Sequence, residues 1–208
     1  MKVLLLLFLI FSMSNAQEIK DIKLVPPQKE IGKPLMQAIN LRHSSREFSP
    51  KKLSDQDISN LLWAAFGINR SESGKRTAPS AMNWQEIDVY AVMENGSYLY
   101  DSKTHSLKQI SSKDNRKLAG TQDFVKDAPL NLIYVADYSK TSKASESDNL
   151  LYSGADAGFI AQNVYLFCAS ENLATVIRGS VNREKLSDEL KLKKNQKIIL
   201  AQTVGYNK

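Results

Sequence analysis

One apolar segment in the last third of the chain constrains the fold most strongly. Apolar side chains recur on nearly all sides of a helix drawn through residues 153–170, where Phe159, Ile160 and Val164 are typical members. Such a helix needs packing partners over most of its surface. The sequence therefore predicts a fold organised around this helix, which lies either in the middle of one monomer or at an interface between two subunits.

The other segments alternate between strand and helix patterns. The continuous apolar run 130–136 predicts a buried central strand, and the alternation over 87–92 predicts a half-buried strand before an Asn95-Gly96 hairpin turn. The same patterns predict the remaining elements, which are helices over 34–41, 54–66, 114–125 and 182–190, strands from Tyr98, over 174–177 and over 198–204, and loops over 68–84 and 139–149. With no internal repeat or break in composition, the sequence predicts one α+β domain with a central mixed sheet.

The first two predicted helices have recognisable end signals. Pro34 suits the first turn of the first helix. Ser54 followed by Asp57 is typical of a capped start, and Gly67 favours the end of the second helix. The first polar cluster of the chain therefore lies between two helices.

That cluster is a concentrated set of anion donors. Within five residues the chain places Arg42, His43, Ser44, Ser45 and Arg46. Planar guanidinium groups match phosphate oxygens with two parallel hydrogen bonds, and hydroxyl and backbone N–H groups can satisfy the remaining acceptors. The cluster favours a phosphate-bearing ligand, although an Arg/Ser-rich turn is also common in solvated surface loops.

A second polar segment lies in the long predicted loop over residues 68–84. It reads Pro79-Ser80-Ala81-Met82-Asn83-Trp84-Gln85. A loop of this length without secondary structure is more often functional than idle in a compact domain. For Asn83, a role in the turn and a role in ligand binding are both open.

Together the two segments resemble the motifs of the nitroreductase family of FMN-dependent oxidoreductases. Members carry an Arg-(Arg/His)-Ser-x-(Arg/Lys)-x-Phe phosphate motif and then a Pro-Ser-(Ser/Ala)-x-Asn-x-Gln loop, which residues 42–48 and 79–85 match in that order. The similarity extends over residues 34–206. It implies a nitroreductase-like α/β/α sandwich with a mixed, largely antiparallel sheet, and an intertwined homodimer with two FMN molecules at the subunit interface. The short chain is closer to the compact branch that includes thiazole/oxazole peptide dehydrogenases.

The resemblance also implies which residues contact FMN. The phosphate and ribityl end would be held by Arg42, His43, Ser44 and Arg46, with the imidazole as a donor rather than a base. The rings would be reached from the partner chain by Pro79, Ser80, Ala81 and Asn83. A backbone N–H near flavin N5 would come from Arg178-Gly179.

Arg178 departs from the family pattern, in which many members have Glu-Gly at this place. A cation close to the flavin would stabilise the reduced anionic form and raise the two-electron potential if its side chain points inward. A solvent-facing arginine is the alternative. Gly179 would allow close approach of the backbone.

The reaction that the resemblance implies is ping-pong two-electron transfer. A reduced donor, with NAD(P)H as the familiar example, would transfer a hydride to FMN, and a small acceptor such as a nitroaromatic or a quinone would take the electrons. No catalytic nucleophile or general base emerges from the sequence, so catalysis would rest on positioning. Two alternatives stay open, a peptide-azoline dehydrogenase and a secreted flavin-binding protein without turnover.

The N-terminus resembles a secretory signal. Lys2 precedes the apolar run 3–11, and Ser14-Asn15-Ala16 matches a small-residue cleavage pattern. The sequence therefore predicts a cleaved signal peptide over 1–16, an extended lead-in over 17–33, and a cofactor-binding domain over 34–208. We expect a secreted or periplasmic protein without stable membrane insertion after cleavage, with an uncleaved anchor as the alternative. NAD(P)H is not normally available outside the cytoplasm, so this address leaves the donor open.

Charge and composition argue against other classes of partner. The formal charge is +6, but the lysine-rich stretch 191–197 lacks aromatic interleaving and is interrupted by leucine, which favours a solvated face over a nucleic-acid site. His105 is expected at the surface, and no second histidine stands at metal spacing. The single cysteine, Cys168, allows no intrachain disulfide and is expected to be a small buried residue. The sequence therefore gives no support for a metal site or a nucleic-acid partner.

Overall fold

The predicted strand over 130–136 lies in the interior of a seven-stranded sheet, next to the middle strand, in the computed structural model, which describes residues 20–141 and 144–208. The strands are β1 Ile22–Lys23, β2 Ile68–Arg70, β3 Lys75–Arg76, β4 Ile87–Met93, β5 Gly96–Asp101, β6 Ser106–Ser111, β7 Leu130–Asp137, β8 Leu173–Arg178 and β9 Gln196–Tyr206. The helices are α1 Leu35–Leu41, α2 Asp55–Phe66, α3 Phe124–Asp127, α4 Glu146–Ser170 and α5 Arg183–Glu189. The predicted signal peptide, residues 1–16, lies outside the described residues.

The strand order is β1-β6-β5-β4-β7-β9-β8, and β2 and β3 form a separate ribbon. Every strand pairing among the described residues is antiparallel, so the α+β class is confirmed and the prediction of a mixed sheet is wrong. Sequential hairpins account for much of this pattern, because two-residue turns join only antiparallel neighbours.

Successive side chains of the central strands enter two different apolar clusters. One cluster packs Leu132 and Tyr134 of β7 against α2 and α4. The other lies on the opposite face of the sheet and packs Ile133 and Val135 against Leu186 of α5. Helices therefore cover both faces of the sheet, and β4 is buried on both faces rather than half-buried as predicted.

Local sequence signals placed several elements correctly. The Ser54 hydroxyl accepts the Asp57 N–H, the Asp57 carboxylate accepts the Ser54 N–H, and Gly67 follows the last residue of α2. The predicted hairpin joins β4 to β5, with Glu94 and Asn95 as its turn and Gly96 already paired with Met93.

The predicted helix over 114–125 is wrong, and a buried arginine explains why. This stretch contains only a 3₁₀ turn over Arg116–Leu118 and the start of α3. The Arg178 guanidinium donates to the Ala119 carbonyl, which a continuous helix would need for its own backbone. A side chain at Gly120 would also overlap this guanidinium.

Two predicted loops contain regular structure. α4 begins at Glu146 rather than near 153, because the Ser145 hydroxyl caps it by accepting the Asp148 N–H and two acidic residues occupy its first turn. Residues 142–143 of the same predicted loop lie outside the described residues. The loop over 68–84 contains the β2–β3 ribbon and a 3₁₀ turn at Ala81–Asn83.

The described part of the lead-in, residues 20–33, is extended as expected but is held against the domain. β1 pairs with β6, a strand that the sequence did not predict. Leu24 is buried, and the Ser59 hydroxyl donates to the Val25 carbonyl at 2.5 Å. Within the described ranges, no helix combines the length and apolar character needed to cross a membrane.

Candidate functional site

The first polar segment lies along the free edge of the sheet. β8 is an edge strand paired only with β9, and the loop after α1 passes beside it. The Ser45 N–H donates to the Thr175 carbonyl at 2.9 Å. This contact satisfies a strand-edge carbonyl that would otherwise face solvent, and it fixes the segment against the sheet.

Tyr165 of α4 connects that segment to the sheet. Its hydroxyl lies 2.8 Å from the Ser44 hydroxyl and accepts the Ile177 N–H at 3.0 Å. The Arg42 guanidinium lies over the same ring, 5.2 Å from its centroid. From the sequence, Tyr165 is only one more residue of the largely apolar helix over 153–170, although a buried tyrosine hydroxyl usually needs a polar partner.

Two arginines supply the permanent positive charge of this segment. Neither Arg42 nor Arg46 forms an ion pair with a carboxylate in the part of the chain that the structure describes. His43 is exposed, and its Nδ1 lies 2.9 Å from the Leu41 carbonyl. A carbonyl only accepts, so Nδ1 carries a proton, and Nε2 can act as a second donor only when the ring is cationic.

The second polar segment has a strained backbone. Met82, Asn83 and Gln85 have φ values of 50°, 55° and 50°, in the left-handed region. Non-glycine residues rarely occupy this region, and such residues cluster at functional sites. Three of them within four positions require strong local support.

Hydrogen bonds to neighbouring elements provide that support. The Ala81 N–H donates to Asp156 Oδ2 of α4 at 2.9 Å, and the Gln85 N–H donates to the Ser80 hydroxyl at 2.8 Å. The Gln85 side chain donates to Asn83 Oδ1 at 3.2 Å and accepts from Arg76 Nε at 2.8 Å. The amide oxygen of Asn83 therefore supports the turn, while Pro79 and Asn83 themselves are exposed.

Both segments contact α4, but at different heights. Ser44 meets the helix at Tyr165, and Ala81 meets it at Asp156. The difference, 165 − 156 = 9 residues, corresponds to about 13 Å along a helix axis. The two segments are therefore fixed to the same helix at two positions more than two turns apart.

The structure removes the solvent-facing alternative for Arg178. The side chain is 7% exposed, and its guanidinium donates to Asn131 Oδ1 at 2.6 Å, to Thr203 Oγ1 at 2.7 Å and to the Ala119 carbonyl. Burial lowers the pKa of Arg178 to about 10. Gly179 is exposed beside it, and a Cβ there would meet no atom within 4 Å.

An apolar surface extends over α1 and the outer side of α4. Its most exposed members are Met36, Leu150 and Leu151, at 75%, 68% and 65%. The opposite side of α4 is buried in the monomer through Ile160 and Val164. The helix thus packs inside the monomer and also presents an apolar surface of the kind that marks interaction sites.

A cavity of about 190 Å³ lies elsewhere, between β1, the start of α2 and the β4–β5 turn. None of the ten residues that the sequence analysis assigned to cofactor binding lines it. His105 is also away from the polar segments, half-buried between the Ser59 hydroxyl at 2.8 Å and the Tyr100 hydroxyl at 3.0 Å. The prediction of a surface histidine is therefore wrong.

Helices cover an antiparallel sheet that has a basic segment at its edge and a strained loop fixed to the central helix. This arrangement is the nitroreductase-like fold of α+β oxidoreductases. Residues 39–206 match the Nitroreductase family, and the chain belongs to that family.

Relatives support this assignment over most of the chain. A nitroreductase homologue of Methanocaldococcus jannaschii is 32% identical over 162 residues, covering 73% of this chain and 81% of that protein. The crystal structure of a nitroreductase homologue from Ralstonia eutropha is 41% identical with a TM-score of 0.86, covering 90% of each chain. The microcin synthetase complex of E. coli contains a chain with a TM-score of 0.69 at 16% identity, covering 93% of this chain and 79% of its own. That last likeness shows a shared fold only.

Proposed function

We propose that this chain is an FMN-dependent oxidoreductase that passes two electrons from a reduced donor to a small acceptor such as a nitroaromatic or a quinone. FMN supplies the redox chemistry when bound, and the chain supplies binding, orientation and electrostatics. The observation that carries the proposal is the pair Arg42 and Arg46, which form no ion pair with a carboxylate among the described residues. They flank Ser44 in sequence, and Arg42 lies over the ring of Tyr165, whose hydroxyl contacts Ser44.

The hydrogen bonds of Tyr165 orient the Ser44 hydroxyl for an anion. Because the phenol oxygen accepts the Ile177 N–H, its own proton is free to point at Ser44. The Ser44 proton is then left for a phosphate oxygen. Arg42 stacked on the ring adds a fixed positive charge.

The second segment suits the flavin rings rather than the phosphate. Pro79, Ser80, Ala81 and Asn83 belong to a loop whose backbone is left-handed at Met82 and Asn83, and none of the four has a charged side chain. We propose that they reach the flavin of the partner subunit and that the apolar surface of α1 and α4 forms the dimer interface. Gly179, with open space around it, would admit the flavin edge.

The cellular address and the electron donor are parts of the same proposal. The signal-like segment 1–16 favours export, which would make the mature protein secreted or periplasmic. NAD(P)H is the donor that the family resemblance implies, and it is scarce outside the cytoplasm. A reductant of the envelope is therefore the alternative to test beside NADH and NADPH.

Flavin content tests the binding half of the proposal. The purified protein should be yellow, with about one FMN per chain. Arg42→Ala together with Arg46→Ala should lose the FMN, because each lost charged contact costs about 1.5–3 kcal/mol. Lys194→Ala with Lys197→Ala removes the same charge from an exposed site and should retain it. Unchanged flavin in the arginine variant would remove both residues from the phosphate role.

Turnover tests the oxidoreductase half. Reduction of a nitroaromatic or a quinone with NADH, NADPH or dithionite as the donor distinguishes an enzyme from a flavin-binding protein without turnover. Peptide-azoline oxidation stays a second prediction. Its only structural support is the likeness to a chain of the microcin synthetase complex, which concerns the fold.

A further inference from the structure

A buried carboxyl group lies directly behind the strained loop. Glu86 is 1% exposed, and its Oε2 accepts the Ser80 hydroxyl at 3.1 Å. Its other oxygen, Oε1, is buried and has no hydrogen-bond donor among the described residues. A buried acceptor without a partner is costly, so this oxygen calls for an explanation.

A second carboxyl group lies next to it. Asp156 of α4 is 3% exposed, and its Oδ2 accepts the Ala81 N–H at 2.9 Å. Ser80 and Ala81 are adjacent, so their hydrogen bonds bring the Glu86 and Asp156 carboxyl groups to the same part of the loop. Burial and the neighbouring Asp156 carboxylate both disfavour the ionised form of Glu86 and raise its pKa.

We propose that Glu86 carries a proton on Oε1 and shares it with Asp156 in a hydrogen bond, and that this proton holds the loop of residues 80–85 in its strained shape. The Glu86 O–H donates to Asp156, which accepts the Ala81 N–H as well. Glu86 Oε2 accepts the Ser80 hydroxyl, which itself accepts the Gln85 N–H. A proton at Oε1 thus gives that oxygen a partner and connects both ends of the loop to α4. Glu86 is a positioning residue in this arrangement.

Among the described residues, the nearby cations are engaged with groups other than Glu86 and Asp156. Arg76 of β3 donates to the Gln85 side chain at 2.8 Å, and Lys140 after β7 lies 3.5 Å from the Gln85 carbonyl and 2.6 Å from Asp88. Burial is the largest influence on Glu86 and raises its pKa, and the charge of Asp156 adds to this rise. Hydrogen bonds from the backbone and from Ser80 act in the opposite direction.

The loop should therefore loosen as the pH rises. A carboxyl group whose folded pKa is raised binds more protons folded than unfolded, so its contribution is present at low pH and is lost through the folded pKa. Glu86→Gln keeps a donor and an acceptor without a titrating proton. It should therefore hold the loop both below and above the pH at which Glu86 titrates. The effect on FMN rests on the proposed function, whereas the shared proton does not.

The carbonyl stretching band of a protonated carboxylic acid in the infrared spectrum tests the proton directly. We expect this band in the wild-type protein at neutral pH, its loss in Glu86→Gln, and its retention in the control Glu94→Gln, whose carboxylate is exposed and paired with Lys52. Absence of the band in the wild type, or its persistence in Glu86→Gln, would overturn the proposal. Should Glu86→Gln fail to fold, ¹³C labelling of glutamate side chains reports the same protonation in the wild type.

Exchange of the Ala81 amide hydrogen tests the positioning role without any cofactor. Raising the pH through the titration of Glu86 should accelerate this exchange about tenfold more than intrinsic base catalysis alone does. The tenfold factor corresponds to the loss of one hydrogen bond. Glu86→Gln should abolish the extra acceleration, and Glu86→Ala should show it at every pH. Equal pH dependence in the wild type and Glu86→Gln would contradict the proposal. If the protein shows these effects but binds no FMN, the proposed function is refuted and the positioning role of Glu86 is not.

Discussion

Tyr165 and Ser44 share a 2.8 Å hydrogen bond that connects the central helix to the anion-donor segment, although 121 residues separate them in sequence. Through Tyr165 the contact continues to the Ile177 N–H at the sheet edge. The helix that organises the core therefore also fixes the position of the proposed phosphate site.

Tyr165→Phe should weaken FMN binding about tenfold, because the Ser44 hydroxyl loses its orienting partner and the Ile177 N–H loses its acceptor. The measurement is fluorescence titration of the deflavinated protein with FMN. Tyr206→Phe is the matched control, since its hydroxyl donates to Asp57 at 2.7 Å away from the segment. An equal loss in both variants would mean that Tyr165 acts only through general stability.

Local signals predicted much of the fold, and long-range contacts decided the rest. The Ser54 capping pattern and the apolar run 130–136 describe short stretches that select their own structure. The break of the predicted helix at 114–125 depends on Arg178, which lies 59 residues beyond Ala119. No local pattern contains that information.

The same division applies to the candidate site. The motifs at 42–48 and 79–85 were visible by resemblance, and the structure shows each fixed to α4. The partners Tyr165 and Asp156 were missed because they lie 121 and 75 residues from Ser44 and Ala81. The left-handed backbone of Met82 was missed because its side chain gives no sign of it.

Met82→Gly should stabilise the protein and weaken FMN binding. Left-handed geometry costs a non-glycine residue about 1–2 kcal/mol, and glycine removes that cost. The greater freedom of glycine in the unfolded chain cancels about 0.4–1 kcal/mol of the stability that is gained. The melting temperature should rise by about 2 °C. The Met82 side chain is 80% exposed and loses no packing, but a more flexible loop is less preorganised for the flavin.

Glu72→Gly is the control for that variant. Glu72 is exposed in a turn and is not among the left-handed residues of the described chain, so glycine there should lower the melting temperature. Calorimetry and FMN titration of both variants measure the two effects. A lower melting temperature for Met82→Gly would show that its backbone is not strained.

Acid should destabilise the protein through His105. Burial is the main cause that lowers the pKa of His105, which lies between Ser59 and Tyr100. The unfolded chain therefore binds more protons than the folded one below about pH 6.5, and stability falls as the pH drops from 7 to 5. Urea unfolding across this range should give a shallower pH slope for His105→Gln. The chain has only one other histidine, His43, so a smaller slope in His105→Gln than in His43→Gln assigns the effect to His105.

Leu151→Glu should separate the subunits and release FMN together. Leu151 is 65% exposed in the apolar surface of α4, and a carboxylate buried there on dimerisation would cost about 3 kcal/mol, or more than a hundredfold in the dissociation constant.

Analytical ultracentrifugation measures the assembly, and absorbance measures the flavin. Lys185→Glu on α5, which covers the opposite face of the sheet, is the control and should remain a yellow dimer. The loop at 79–83 and the segment at 42–46 contact α4 about 13 Å apart in one chain, and the proposed function assigns them to two different FMN sites of the dimer. A monomeric wild-type protein that retains flavin would therefore contradict both the interface and the assignment of the two segments to different subunits.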